Sequence, residues 1–320
     1  MKTFVSAKAL FGSVLFCAFV ISARAATINQ VQSNTSPGQS WLTTGAWSNN
    51  AGPSAVNDYV SGPGMTLRSP TTVNSAFAGN SLTINGAQFN LTGSTGASGI
   101  ITIPDLRVTA GGAIVNGNGG NQTQAINGGT LNVTNSMFFR LNTTATGRNI
   151  TVSSQITGSG TIGLMQNGTL LLNSPGNSFS GFWSIGGANV SILGMTYSNT
   201  NTLVSTLNAS GSGTLGVDSS LIANDYSVIR VGYDWTTAGS VTLNLNSTTF
   251  LDTNWTVGAL TINGASLGAG TYSYAFLSST YSGYFNTTGA GGSITVVPEP
   301  GSVGLILLGG AAVLWRRRSK

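Results

Sequence analysis

The sequence predicts an all-β fold, a right-handed parallel β-helix or solenoid, and three observations carry that prediction. Short alternating runs rich in Thr, Val, Ile and Leu recur along the body, bounded by Gly, Asn and Ser, and no long stretch keeps apolar residues at helical spacing. Phrases also repeat without a strict period: LTING stands at 82–86 and 260–264, and Gly-Thr-Leu or Gly-Thr-Ile begins at 129, 160, 168 and 213, with intervals of 31, 8 and 45 residues. Charged residues are only 6% of the 320, against roughly 25% in an average soluble protein. A body so poor in charge can still face water if Thr, Ser and Asn line its outer surface in ladders while Val, Ile and Leu stack inside. The same alternation would also support an antiparallel β-sandwich.

The elements follow in order. Residues 1–25 have a basic start (Lys2, Lys8), an apolar stretch from Leu10 to Ile21 and the small-residue site Ala23-Arg24-Ala25. That is the tripartite form of a secretory signal peptide, cleaved at an A-x-A site that Ala23 and Ala25 supply. The only cysteine, Cys17, lies inside it, so the exported chain carries no thiol. Residues 26–249 form the solenoid body. Its strand candidates are SLTINGAQFNLTG (81–93), GTLNVTN (129–135), NITVSSQITGSGTIGL (149–164), GTLLLN (168–173) and SVTLNLN (240–246). Residues 250–297 hold further strands, with Tyr272, Tyr274 and Phe276 at period two as cover for one sheet face. At about 20–25 residues per rung, the stretch from 27 to 297 would make on the order of twelve rungs. Residues 298–320 are the C-terminal segment: Pro298-Glu299-Pro300, an apolar run compatible with a helix (303–315), then Arg316-Arg317-Arg318-Ser319-Lys320.

The charge balance sharpens the division. The 12 basic and 7 acidic residues give +5, but Lys2, Lys8 and Arg24 are at the front and Arg316, Arg317, Arg318 and Lys320 at the back. Five arginines (68, 107, 140, 148, 230) then face six Asp and Glu299, so the rest carries 5 − 7 = −2. Five scattered arginines cannot build a nucleic-acid surface. Between 27 and 297 there is no His, Cys, Lys or Glu. That removes His-based triads, thiol nucleophiles, lysine Schiff bases, ordinary zinc sites and paired-glutamate glycosidase chemistry. No catalytic, cofactor or metal residue is assigned, and no cofactor is expected.

Two clusters have alternative readings. Asp218, Asp225, Arg230 and Asp234 are the densest charge in the body. They could be a Ca²⁺ or acidic-sugar site, or an Asp-rich loop with one surface ion pair. Trp41, Trp47, Trp183, Trp235 and Trp255, with Tyr233, could stack on sugar rings or pack in the core.

The Pro-Glu-Pro motif, the apolar run and the terminal arginines, in that order at the end of the chain, resemble the PEP-CTERM sorting signal of exported bacterial proteins. The prolines hold an extended, accessible segment. Arg316, Arg317 and Arg318 stop transfer and stay cytoplasmic under the positive-inside rule. Thirteen apolar residues are short for a permanent span, which suits a transient anchor. The resemblance implies a processing partner, the membrane transpeptidase exosortase, transient anchoring in the inner membrane, and delivery to the outer surface or extracellular matrix of a bacterium. The segment 158–188 resembles one copy of the autotransporter-associated β-strand repeat, Trp41…Trp47…Tyr59 resembles the opening of such passenger-like proteins, and LTINGASLGAGTYSY with GGSITVV resembles their closing strands before the sorting signal. Together these resemblances imply a non-enzymatic surface, adhesin-like or matrix protein associated with biofilm exopolysaccharide. A secreted β-helix polysaccharide lyase or hydrolase, or a carbohydrate-binding protein, is the alternative.

Overall fold

The computed structural model describes residues 24–297, apart from 94–96, 118–121, 142–147, 187–188, 193–194, 199–204, 210–213, 217 and 289–290. Ala23, the sorting motif Pro298-Glu299-Pro300, the apolar run and Arg316–Arg318 lie outside the described residues, and Ala25 stands directly before the first strand, Ala26–Asn29. Among the described residues no helix is long and apolar enough to cross a membrane.

The body is a parallel β-helix. Three sheets form its faces, and from Asn57 to Leu172 successive strands step from one face to the next, so that each face collects every third strand. The first face holds six strands, Ala26–Asn29, Asn57–Ser61, Ser81–Asn85, Asp105–Ala110, Thr130–Val133 and Gln155–Thr157, all paired in parallel. The third holds eight, from Asn74–Ala76 to Thr248–Phe250. The second has ten, of which the last, Ala265–Leu267, is antiparallel, leaving nine parallel strands on this face among the described residues. These ladders exclude the antiparallel sandwich.

The inward positions explain the alternation. On the second face one stack runs Leu67, Phe89, Ile114, Phe139, Leu164, Ile185, Ala223, Leu243 and Ile262, in register rung by rung and fully buried. Such stacking removes apolar surface from water along the whole length. Each face contributes an apolar column of this kind, and the three columns make one continuous core.

A rung takes 25 residues where Thr130 pairs with Gln155 and 20 where Leu221 pairs with Val241. The second face carries fewer steps than the expected twelve or so rungs because three stretches interrupt the regular coil. Residues 31–56 cap the N-terminal end, where Trp41 packs on Phe77 (5.4 Å between ring centroids) and Trp47 on Tyr59 (4.9 Å). The interval from Phe182 to its partner Ser220 is 38 residues and holds an antiparallel hairpin, Asn189–Ile192 with Met195–Ser198. This hairpin lies against the strand Ser136–Arg140, where Phe138, Ala113, Val115 and Met165 form a small second core outside the helix wall. The interval from Trp255 to Ile294 is 39 residues and closes the C-terminal end.

That end departs from the expectation for its aromatics. Tyr272 lies in the strand Gly270–Ser273, but Tyr274 and Phe276 belong to the chain's one described α-helix, Tyr274–Thr280. Ser273 is the cause. Its hydroxyl accepts from the Phe276 backbone N–H at 3.3 Å and starts a helix where the period-two pattern continues the strand.

Candidate functional site

The first face positions the C-terminal signal. After Gln155–Thr157 it continues without a regular strand, Ser178 N bonding Ile156 O and Ser180 N bonding Gly158 O. It resumes as Trp235–Thr236, Trp255–Val257 and Ser293–Val296, with Gly270–Ser273 antiparallel on the outer edge. The last strand, Ser293–Val296, is thus held on both sides, by Trp255–Val257 and by Gly270–Ser273. Val297 N also donates to Val257 O at 2.9 Å, so the ladder extends to the residue before Pro298. The described ladder thus runs up to the residue before the Pro-Glu-Pro motif.

The tryptophans are core residues. Trp41, Trp47, Trp183, Trp235 and Trp255 are all at most 1% exposed, so the sugar-stacking reading is corrected for each. They lie at inward positions or in the N-terminal cap, where a large ring fills the helix bore. Trp235 and Trp255 are register partners with ring centroids 5.6 Å apart at 77°. Trp183 Nε1 donates to Leu215 O at 3.0 Å. Tyr233, half-buried beside them, accepts from Leu215 N at 2.8 Å, and burial pushes its phenol up to about 12.

The acidic cluster goes round the molecule rather than into one groove. Asp218 is exposed at the corner before the second-face strand Ser220–Ala223, and Asp225 lies in the turn to the third-face strand Ser227–Val231. Arg230 points out from that strand, and Asp234 sits at the corner before Trp235 on the first face. A rung here is 20 residues, so 17 consecutive ones from 218 to 234 cover most of a turn. Three of the four are engaged by the adjacent rung. Asn246 Nδ2 donates to Asp225 at 2.9 Å, Asn254 N donates to Asp234 at 2.9 Å, and Arg230 Nε donates to Asp252 at 3.1 Å while lying over the Phe250 ring. Among the described residues no three acidic or metal-ligating side chains cluster.

Other polar constellations were not legible as sites. On the first face, Ser81 Oγ (2.6 Å) and Asn80 Nδ2 (2.8 Å) donate to Asp58, and these two bonds, the serine's above all, hold its carboxyl below the usual range. Asp105 receives Arg107 Nε at 2.8 Å and Thr130 Oγ1 at 3.0 Å. The Asp-x-Arg spacing was the available signal, because it puts both side chains on one side of a strand. Arg148, 5% exposed, donates from Nη1 to Asn116 O at 3.3 Å, and burial pulls its pKa below the ordinary value. The outer surface is thus a set of rung-to-rung hydrogen bonds in which most carboxylates already have partners.

Residues 296–318 match the model of the PEP-CTERM protein-sorting motif. No curated protein and no solved structure matches the chain. The motif supports an exported, surface-directed protein that is sorted by exosortase, a membrane enzyme.

Proposed function

We propose that the chain is a non-enzymatic surface or matrix protein of an exported class, a charge-poor β-helix handed to exosortase by its C-terminal signal and then associated with extracellular polysaccharide. The observation that carries the reading is the direct passage from the last strand, Ser293–Val296, into the matched segment 296–318. The outer columns support the polymer partner. Val60, Thr83, Arg107, Asn132 and Thr157 follow one another outside the first face, and their polar members offer hydroxyl, guanidinium and amide groups at the rung spacing of about 4.8 Å. Such a surface suits hydrogen bonding to a neutral polymer, or an adhesin-like contact within a biofilm, better than steering of a charged partner.

The test is the signal itself. Glu299→Ala, or deletion of 298–320, should change the protein's apparent size and its partition between membrane, matrix and medium in the native host. Unchanged size and location would leave the sorting reading without support. Binding of purified body to the host's own exopolysaccharide, measured by co-sedimentation, checks the partner.

A further inference from the structure

The C-terminal cap differs chemically from the rest of the molecule. From Thr253 to Pro298 the sequence contains no Asp, Glu, Lys or Arg, while it holds Trp255, Tyr272, Tyr274, Phe276, Tyr281, Tyr284 and Phe285. Several of these reach the surface. Phe276 is 46% exposed and packs on Tyr272 with ring centroids 5.6 Å apart, and Tyr274 and Tyr281 are partly exposed. The Tyr272 hydroxyl donates to Gly268 O and the Tyr274 hydroxyl to Asn286 O; both rings pack in part against the core, and Phe276, beside Tyr272, is the exposed aromatic of the cap. The strand that carries Tyr272 is the outermost of its sheet, one step beyond Ser293–Val296, from which the chain leaves.

Geometry sets how far this cap can stand from a membrane. Only residues 298–302 separate Val297 from the apolar run that begins at Val303. An extended chain of that length spans about 20 Å at most. The headgroup layer occupies roughly 5–8 Å of it on each side of the hydrocarbon core. While the tail is seated in the bilayer, the last rung therefore lies at or just above the headgroups. An uncharged surface of Tyr and Phe is what that zone accommodates, because tyrosine, with its polar edge, concentrates at the membrane–water boundary and the Phe276 ring adds apolar area for the acyl side of it. From Thr253 to Pro298 no charged residue holds the cap away, and the first charge after it, Glu299, lies on the tether.

We infer that the C-terminal cap, through Phe276 and Tyr272, docks on the outer-leaflet headgroups of the membrane that holds the tail, so that the unprocessed β-helix stands on its cap. This rests on the sorting reading above, which seats the tail in the membrane. The occupant is a lipid surface rather than a protein, because the tether alone brings the cap to the lipid and needs no recognition.

The test uses the full chain reconstituted into phosphatidylcholine vesicles, with and without bromine on the acyl chains as a contact quencher of tryptophan. Trp315 lies in the tail and the other five tryptophans are buried in the helix, so quenching in the unsubstituted chain reports tail insertion. Phe276→Trp adds a reporter on the cap, and Val56→Trp adds one at a 71%-exposed site in the opposite, N-terminal cap. The inference expects additional loss of emission for Phe276→Trp and none for Val56→Trp. Quenching of Trp315 with no added loss at position 276 overturns the docking and leaves the sorting reading standing, as expected if exosortase rather than lipid meets the cap. Equal added loss at 276 and 56 also overturns it. Absence of Trp315 quenching overturns the tail's insertion and the docking with it.

Discussion

Tyr233 shows what a buried polar edge does to this molecule. Its hydroxyl accepts from Leu215 N, and burial lifts its pKa to about 12 from an ordinary 10.0. A raised folded-state value means the neutral phenol is favoured by folding. Its contribution is complete below pH ~10 and is lost as pH rises through ~12. Chemical denaturation across that window should show falling stability, and Tyr233→Phe should flatten the fall. An identical slope in the variant would remove Tyr233 from the account. Residue identity was legible in the sequence, but side-chain direction was not. Trp183 faces in and its neighbour Phe182 only half so, and nothing in FWSI says which of the two takes the bore. The tryptophans therefore read as core more readily than as sugar platforms but could not be assigned to either, and three closely spaced acids read as a loop more readily than as a site, though sequence alone could not place them at different corners.

At the scale of elements, the uneven repeats acquire a reason. Gly129-Thr130 opens a first-face strand, Gly160-Thr161 a second-face strand and Gly168-Thr169 a third-face strand, so one phrase starts strands on all three faces and its intervals need not be equal. At Gly160 a Cβ would land on the backbone carbonyl of Asn135 in the rung before, and at Gly52 it would meet nothing. Gly160→Ala should cost about 2 kcal/mol or more, the scale of overpacking against backbone that cannot yield. Gly52→Ala should stay within about 0.5 kcal/mol of the original chain. Equal denaturation midpoints for the two would contradict the close stacking. The sequence showed the strands but hid their corners. The run 149–164 reads as one alternating phrase, yet it contains Asn149–Val152, Gln155–Thr157 and the start of Thr161–Met165, one on each face. Bends of two residues (153–154) and three residues (158–160) turn the chain to a new sheet while the inward positions Val152, Ile156 and Ile162 stay an even number apart. The inserted hairpin at 189–198 has no such signal, since its alternation resembles that of a rung strand.

For the whole molecule, the +5 charge separates into two addresses and a body that is nearly neutral. The sorting motif at the back was legible because it is a local, linear pattern of charge and hydropathy, and the signal peptide expected at the front is a pattern of the same kind. The parallel β-helix was legible as a class because low charge, glycine corners and Thr/Asn ladders must all be satisfied at once. What the body binds was not, since that depends on which outward columns line up, a matter of register between rungs. The central claim is that the working protein is the β-helix alone, delivered by a signal that is then removed. Intact mass of the protein recovered from the cell surface or medium tests this directly. The account predicts a chain that starts after Ala25 and ends before the apolar run at Val303, so that mass is lost at both ends. A mass that retains the apolar run and the terminal arginines would contradict it.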